Sequence, residues 1–161
     1  MKKVEGGVTA AEGFQAASTA AGIKYKDRTD MAMIYSEVPC AVAGTFTTNI
    51  VKAAPVKWDQ HVVYDSKKAQ AVIVNAGIAN ACTGEAGDVD VAHMAELVAA
   101  ELQVPVDQVA VASTGVIGIR LPMETIAHGI RELSGMLSDD LESGSHAAEA
   151  IMTTDVYKKE I

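Results

Sequence analysis

Two long stretches of the chain carry apolar residues three or four positions apart, the spacing that places them on one face of a helix. The first stretch follows Asp88 and Asp90, either of which can cap a helix, and it ends before Pro105. The second begins after Pro122, a residue that suits the first turn of a helix. The apolar positions of the two predicted helices are Val91, Met94, Ala95, Val98 and Leu102, and Met123, Ile126, Ile130, Leu133 and Leu137.

Short apolar runs separated by polar residues or prolines predict buried strands. Pro39, for example, separates the first run from the second. The runs span residues 31–35, 40–46, 68–75 and 108–112. Because these strands alternate with helices along the chain, the sequence predicts a layered α/β fold.

The N-terminal segment has local signals of a helix. Thr9 and Glu12 have the spacing of a capping box, in which two side chains satisfy the first free amides of a helix. Phe14 and Ala17 then continue at helical spacing, and Gly22 lies where a C-terminal cap belongs. The sequence therefore predicts a helix that ends at Gly22.

Two shorter helices are predicted elsewhere. Residues 53–60 form the first, with Pro55 in its first turn. Residues 138–145 are polar and predict a loop, after which residues 146–152 predict a helix that runs into Thr153. The hydroxyls beyond this last helix either satisfy backbone groups at a joint between helix and strand or contact a ligand.

Composition favours one folded unit. The chain has 161 residues, of which 49% are hydrophobic and 21% charged, so it can bury a sizeable core. Aromatic residues make up only 4%, which leaves alanine, valine, isoleucine, leucine and methionine to fill the interior. We therefore expect a single domain over residues 1–161.

Charge and cysteine content argue against several partners. The formal net charge is -8, and clustered lysines and arginines of the kind that bind phosphate backbones are missing, so no nucleic-acid partner is expected. No apolar run has membrane-spanning length, and none follows the first residues as in a signal peptide, so no membrane association is expected. Cys40 and Cys82 lie far apart, which favours a reduced, cytoplasmic setting over a disulfide framework.

The segment Ser113–Gly118 is the strongest candidate for chemistry. It follows a predicted buried strand and contains two glycines, so its backbone amides can point beyond the strand end and a reacting group can come close. Amides aimed in this way stabilise the oxyanion of an acyl-transfer reaction. The alternative is an ordinary tight turn between strand and helix.

A second small-residue loop, Asn75–Gly87, either lines a pocket with amide and hydroxyl groups or simply connects a strand to a capped helix. Cys82 within it is better explained as a small buried residue than as a nucleophile, because no histidine is near it in sequence. The histidines show no metal-binding spacing, and no metal site is expected. They are His61, His93, His128 and His146.

Four stretches of the chain together resemble the ornithine acetyltransferase family, also called glutamate N-acetyltransferase. Their order and approximate spacing agree with the family over nearly the whole chain. They are Ala43–Asn49 with Val51–Pro55, Asn75–Gly84, Ser113–Gly118 with Leu121–Pro122, and Ala150–Asp155.

The resemblance implies a fold and an activity. The fold would be the layered α/β type shared with self-cleaving aminopeptidases, and the chain would be the N-terminal (α) portion of a precursor that cuts itself before a threonine. That threonine, at the start of the C-terminal (β) chain, would be the nucleophile, with its own α-amino group as base. It would take acetyl from N-acetylornithine and pass it to glutamate, a ping-pong step of arginine biosynthesis. No cofactor is implied, although acetyl-CoA is a possible substrate, and the paired chains would assemble into a heterotetramer.

Site residues follow from the same resemblance. Thr114, through its hydroxyl, and Gly115, through its backbone N–H, would form the oxyanion hole, and Thr153 would contact substrate. Ala76 and Ile78 replace polar residues of the family loop, which argues against substrate contacts there. The chain ends at 161, before the point where the family is cleaved, so no nucleophile is expected in it.

Two other functions stay open. An N-terminal-nucleophile aminopeptidase of similar fold would use a serine or threonine in the same role. A non-catalytic α/β domain would instead use Thr114 and Gly115 to hold an anionic small molecule. Formation of an acetyl-enzyme distinguishes the transferase from both.

Overall fold

The computed structural model describes residue 4 and residues 6–160, and a sheet lies at the centre of this part. Within it the strands follow the order β1-β2-β3-β4. The first three pair antiparallel, whereas β3 and β4 run parallel. The strands are β1 (Phe14–Thr19), β2 (Met31–Ala41), β3 (Lys68–Ile78) and β4 (Val109–Val116).

Helices cover both faces of the sheet in the described part of the chain. They are α1 (Ala54–His61), α2 (Gly84–Leu102), α3 (Met123–Ser134) and α4 (Leu141–Ala150). The main core lies between the sheet and the apolar faces of α2 and α3. Each fully buried large side chain there contributes about 1.5–3 kcal/mol. The side chains with 0% exposure in this core include Met31, Met33, Ile73, Met94, Val98, Val109, Ile126, Ile130 and Leu133.

The opposite face of the sheet is covered less completely. Helix α4 packs on β1 and β2 through alanines, among them Ala16, Ala32 and Ala147. By strand alternation, Ala110 and Ala112 of β4 point to this same side, and both are only half-buried. The α4 side of the sheet is therefore closed over β1 and β2 and partly open over β4.

The predicted α/β class is confirmed, and so are several predicted elements. The helices expected from the two apolar stripes are α2 and α3, although α3 ends at Ser134, before Leu137, and the segment 53–60 is α1 almost residue for residue. Strand β3 contains the predicted run 68–75, and β4 contains most of 108–112. The caps proposed for α2 are wrong: the helix begins at Gly84, and Asp90 lies inside it and receives two hydrogen bonds from Arg120, both 3.1 Å.

The predicted N-terminal helix is wrong. Residues 8–10 form a single 3-10 turn, and Phe14–Thr19 is strand β1. Alanine by itself favours helices, but pairing with β2 makes this segment a strand and buries Ala16 and Ala17 on opposite faces of the sheet. Thr9 does not cap a helix; it is buried beside α4.

Two further boundaries differ from the prediction. Pro39 does not end a strand: β2 runs on to Ala41 through an irregular register between Tyr35 and Cys40, and residues 42–46 form no strand. The polar segment 138–145 is not all loop, because α4 begins at Leu141. Asp140 caps it by accepting a 2.7 Å bond from the backbone N–H of Ser143, a signal that the polar composition obscured.

Helix α1 protects the free edge of β4. An edge strand has unpaired backbone groups, and two side chains of α1 meet them here. The Trp58 Nε1–H donates to the carbonyl of Val109 at 2.8 Å, and the Asp59 carboxylate accepts from the N–H of Val111 at 2.9 Å. Burial against the sheet raises the pKa of Asp59 to about 6 from 3.8, although the bond from Val111 opposes the shift.

Replacing Asp59 with asparagine should stabilise the protein at neutral pH. Between pH 3.8 and about 6 the folded state binds more protons than the unfolded state, so the wild type loses stability as pH rises through this window. Asparagine keeps the acceptor for Val111 without the charge. Allowing for partial exposure to water, we expect the substitution to raise the free energy of unfolding by about 1 kcal/mol at pH 7.5 and to leave it unchanged near pH 4. Urea denaturation measures both values.

The exposed pair of Asp88 and Lys57, 3.1 Å apart, provides the control. Asp88→Asn should change stability by less than about 0.5 kcal/mol at either pH. A gain for Asp59→Asn that is the same at both pH values would contradict a role for carboxylate burial.

Candidate active site

The chain segments at the ends of β3 and β4 run side by side. The parallel register pairs Ala76 with Thr114 and Gly77 with Gly115, and it ends where Ile78 pairs with Val116. Beyond the register, the N–H of Ala79 donates to the carbonyl of Val116 at 2.9 Å. The two small-residue loops singled out in the sequence therefore form one structural unit.

Two glycines make this close approach possible. Gly115 has φ +128° and Gly77 has φ +106°, a region that side chains with a Cβ rarely adopt. A Cβ on Gly115 would lie 2.3 Å from the carbonyl C and O of Gly77 and 2.7 Å from the nitrogen of Ile78. Only glycine fits at position 115 unless the backbone of β3 moves.

A pocket of about 420 Å³ opens beside the glycine pair. It brings together three distant segments: the ends of β3 and β4, the turn between β1 and β2, and the residues after α4. The lining residues are Ala76, Gly77, Gly115, Val116, Lys24, Tyr25, Arg28, Asp30, Met152, Thr153 and Thr154.

The predicted site residues are placed near one another. Gly115 and Thr153 line the same pocket. Thr114 is not a lining residue; strand alternation directs its side chain to the α4 side, and its hydroxyl makes one long bond, 3.5 Å, to the carbonyl of Asn75. No strand follows Thr153 in the described residues, so the predicted joint between helix and strand is wrong.

The turn between β1 and β2 contributes charge that no pattern in the sequence indicated. The Arg28 guanidinium donates to the carbonyls of Met152 and Thr153, at 2.8 and 3.1 Å, and so ties the segment after α4 to the pocket. The nearby Lys24 ammonium lies 4.9 Å from the Tyr25 ring and lowers the pKa of that phenol. In sequence these residues look like an ordinary solvated turn.

Asp30 is the acidic member of the pocket, and its carboxylate is already engaged. It accepts from the N–H of Ala21 at 2.8 Å and from that of Ile23 at 2.6 Å. Its backbone carbonyl accepts from Ala76 at 2.8 Å, which connects the turn to the end of β3. Asp30 thus shapes the pocket wall, while Lys24 and Arg28 give the pocket a positive character.

The loop Asn75–Gly84 does not present its amides to the pocket. Asn75 and Asn80 are 0% and 1% exposed, and Asn80 bonds inward to the carbonyl of Gly87 at 2.8 Å. Only Ala76 and Gly77 of this loop line the pocket. Each of the two possibilities left open by the sequence holds for part of the loop. The asparagines belong to a connection between strand and helix, whereas Ala76 and Gly77 line the pocket.

Cys82 was expected to be buried and is instead exposed; it lines none of this pocket and forms no disulfide with Cys40. It adopts φ +58° in a bend before α2. The four histidines are about half exposed or more, each near a carboxylate of its own helix or turn. In the described part of the chain no group of histidine, cysteine and acidic residues could hold a metal ion.

Comparison with known proteins decides the family. The sequence profile of the ArgJ family matches residues 15–161, nearly the whole chain. The chain belongs to the ArgJ family. This confirms the resemblance to ornithine acetyltransferases, because a solved structure that is 47% identical to this chain is described as an ornithine acetyltransferase.

Three similar ArgJ proteins indicate how far the likeness extends. A chloroplastic ArgJ protein of Oryza sativa subsp. indica is 46% identical over 99% of this chain, which corresponds to 35% of the rice protein. The crystal structure of ArgJ from Bacillus halodurans is 45% identical, with a TM-score of 0.89 over 94% of this chain and 78% of that one. Ornithine acetyltransferase from Mycobacterium tuberculosis, complexed with ornithine, is 47% identical, with a TM-score of 0.91 over 94% and 81%.

The chain thus spans about a third of the length of the rice relative, and the fold is the one its family adopts. None of the helices in the described residues is both long and apolar enough to cross a bilayer. The roles of Thr114, Gly115 and Thr153 in the ArgJ reaction stay predictions at this point.

Proposed function

We propose that the protein carrying this chain transfers the acetyl group of N-acetylornithine to glutamate in arginine biosynthesis. The observation that carries the proposal is the pocket in which Gly115 and Thr153 meet beside a strand end that only glycine can form. A close structural relative is described as an ornithine acetyltransferase complexed with ornithine, which supports amino-acid substrates of this kind. Lys24 and Arg28 give the pocket the charge that suits their carboxylates.

In the proposed reaction this chain stabilises charge rather than forming bonds. A threonine hydroxyl of the companion β chain attacks the acetyl carbonyl carbon, and its proton passes to its α-amino group. The Thr114 hydroxyl and the Gly115 N–H donate to the oxygen that becomes negative. The bond from carbon to nitrogen then breaks, ornithine leaves with the proton, and the acetyl group remains as a threonine ester.

The second half returns the enzyme to its first state. The amine of glutamate attacks the ester carbonyl, the same donors stabilise the second oxyanion, and the threonine oxygen leaves and regains its proton. Acetyl-CoA can replace N-acetylornithine as donor without a change in these roles. Neither step draws on a metal ion or a bound cofactor.

A companion portion of the same precursor is part of the proposal. This chain spans 35% of the rice relative but 81% of the matched chain in the M. tuberculosis structure, so that crystallised chain is much shorter than a whole ArgJ sequence. This supports self-cleavage into two chains, which we expect to assemble into a heterotetramer. The half-buried alanines of β4 supply an apolar surface that the companion can cover.

We propose a cytoplasmic location for the protein. The two cysteines are both free thiols, as expected in a reducing compartment. The rice relative is named as chloroplastic, so the compartment varies within the family.

Incubation of the full-length protein with N-acetylornithine tests the function. We expect the mass of the companion chain to increase by one acetyl group and the mass of this chain to stay the same. When glutamate is added, the companion chain should lose the acetyl group and N-acetylglutamate should form. Intact mass spectrometry follows both steps. Peptide hydrolysis without an acetyl-enzyme would favour the aminopeptidase, and binding without an adduct would favour the non-catalytic domain.

A further inference from the structure

The side chain of Asn75 is buried on the side of the sheet away from the pocket. Residues on the same face of β3, such as Ile73, belong to the core under α2 and α3. The neighbouring Ala76 points to the other face and lines the pocket. Asn75 therefore lies directly behind the candidate oxyanion hole without access to a substrate.

Its one hydrogen bond fixes the backbone that Gly115 touches. The Asn75 side-chain amide donates to the carbonyl of Ile78 at 2.8 Å and so spans the end of β3 at Gly77, where the backbone turns through a φ of +106°. The peptide between Gly77 and Ile78 is the group that lies 2.3–2.7 Å from the Cβ position of Gly115. A shift of this turn would therefore move the backbone of Gly115.

Hydrogen bonds satisfy the Asn75 side chain only in part. The Asn75 side-chain oxygen has no partner in the described residues, and neither has the hydroxyl of Ser113, its neighbour across the ladder. A buried polar atom without a partner costs at least as much as one neutral hydrogen bond contributes. An apolar side chain of similar size would remove the unpaired oxygen but would also leave the Ile78 carbonyl without its donor, so the two effects on stability oppose each other.

We propose that Asn75 is a positioning residue, whose bond to Ile78 holds the turn at Gly77 against Gly115 and so sets the direction of the Gly115 N–H. This rests on the proposed acetyl transfer. Because Asn75 touches no substrate, its effect falls on the transition state and leaves substrate binding almost unchanged.

Asn75→Leu in the full-length protein tests the proposal. We expect a melting temperature within about 4 °C of the wild type, together with a fall in kcat on the order of 10–10²-fold, because small misplacements of catalytic groups have effects of this size. KM for N-acetylornithine should stay within about threefold. Asn75→Ala serves as a second variant if leucine does not fit.

Asn80→Ala is the matched control. Asn80 is a buried asparagine of the same loop with the same kind of 2.8 Å bond, but it holds α2 rather than the turn beside Gly115. It should lower the melting temperature and leave kcat of the folded enzyme unchanged. The positioning role is overturned if both Asn75 variants keep wild-type kcat, or if Asn80→Ala lowers kcat equally. Absence of transfer by the wild type would instead overturn the proposed function, and this inference with it.

Discussion

Gly115→Ala is expected to reduce acetyl transfer by a factor on the order of 10²–10³ and to destabilise the fold. The new methyl group would lie 2.3 Å from backbone atoms of Gly77, and backbone cannot rotate away as a flexible side chain can. The φ of +128° adds strain of about 1–3 kcal/mol. Strands β3 and β4 must separate locally, which displaces the proposed oxyanion donor. Denaturant unfolding and transfer rates of the full-length protein measure the two effects.

Gly118→Ala distinguishes the effect of backbone strain at positive φ from the effect of steric overlap with Gly77. Gly118 lies in the same loop and also has positive φ, +76°, but no atom lies within 4 Å of its Cβ position. The substitution should cost about 1 kcal/mol in stability and leave transfer near the wild-type rate. Equal damage from the two alanines would show that the loop conformation, rather than the contact with Gly77, governs activity.

The sequence predicted those elements whose pattern is decided locally. Helices α2 and α3 follow from apolar stripes that match the helical period and face one core. Strand β3 follows from a long apolar run buried on both faces. Strand β1 could not be predicted in this way, because alanines locally favour a helix and only pairing with β2 makes the segment a strand.

The candidate site was predicted in part. The glycines and the polar strand end at residues 113–118 indicated backbone donors, and family resemblance indicated the Gly115 N–H together with the Thr114 hydroxyl. The contact between Gly115 and Gly77 joins positions 38 residues apart and depends on a parallel register that local spacing does not encode. The bonds from Arg28 to the segment at Thr153 span over 120 residues and are equally invisible in sequence.

These nonlocal contacts explain why the loop at Asn75 was hard to interpret. A run of small and amide residues is compatible with either a binding surface or an internal support. The structure separates the two by strand alternation: Ala76 lines the pocket, whereas Asn75 faces the core. The polar groups lost at Ala76 and Ile78 relative to the family loop therefore leave the internal support in place, since Asn75 still bonds to the Ile78 carbonyl at 2.8 Å.

Thr114→Val should lower kcat for acetyl transfer on the order of 10²–10³-fold, the usual effect of removing one oxyanion donor. Valine has nearly the same shape, so the fold loses only the hydroxyl's single long bond to Asn75, 3.5 Å in length, and stability should change by less than about 1 kcal/mol. KM should change little, because the donor binds charge that exists only in the transition state. Steady-state kinetics and thermal unfolding of the full-length protein measure these quantities.

Thr114→Ser is the matching control, because it keeps the hydroxyl and removes only a methyl group. Serine should recover most of the rate that valine loses, and a serine variant as slow as valine would assign the loss to packing instead. A rise in KM with unchanged kcat would place the hydroxyl on the substrate in its ground state, as in the binding-domain alternative. The oxyanion role requires the combination of lost kcat, retained stability and rescue by serine, since no structural role for a half-buried hydroxyl with one long bond produces all three.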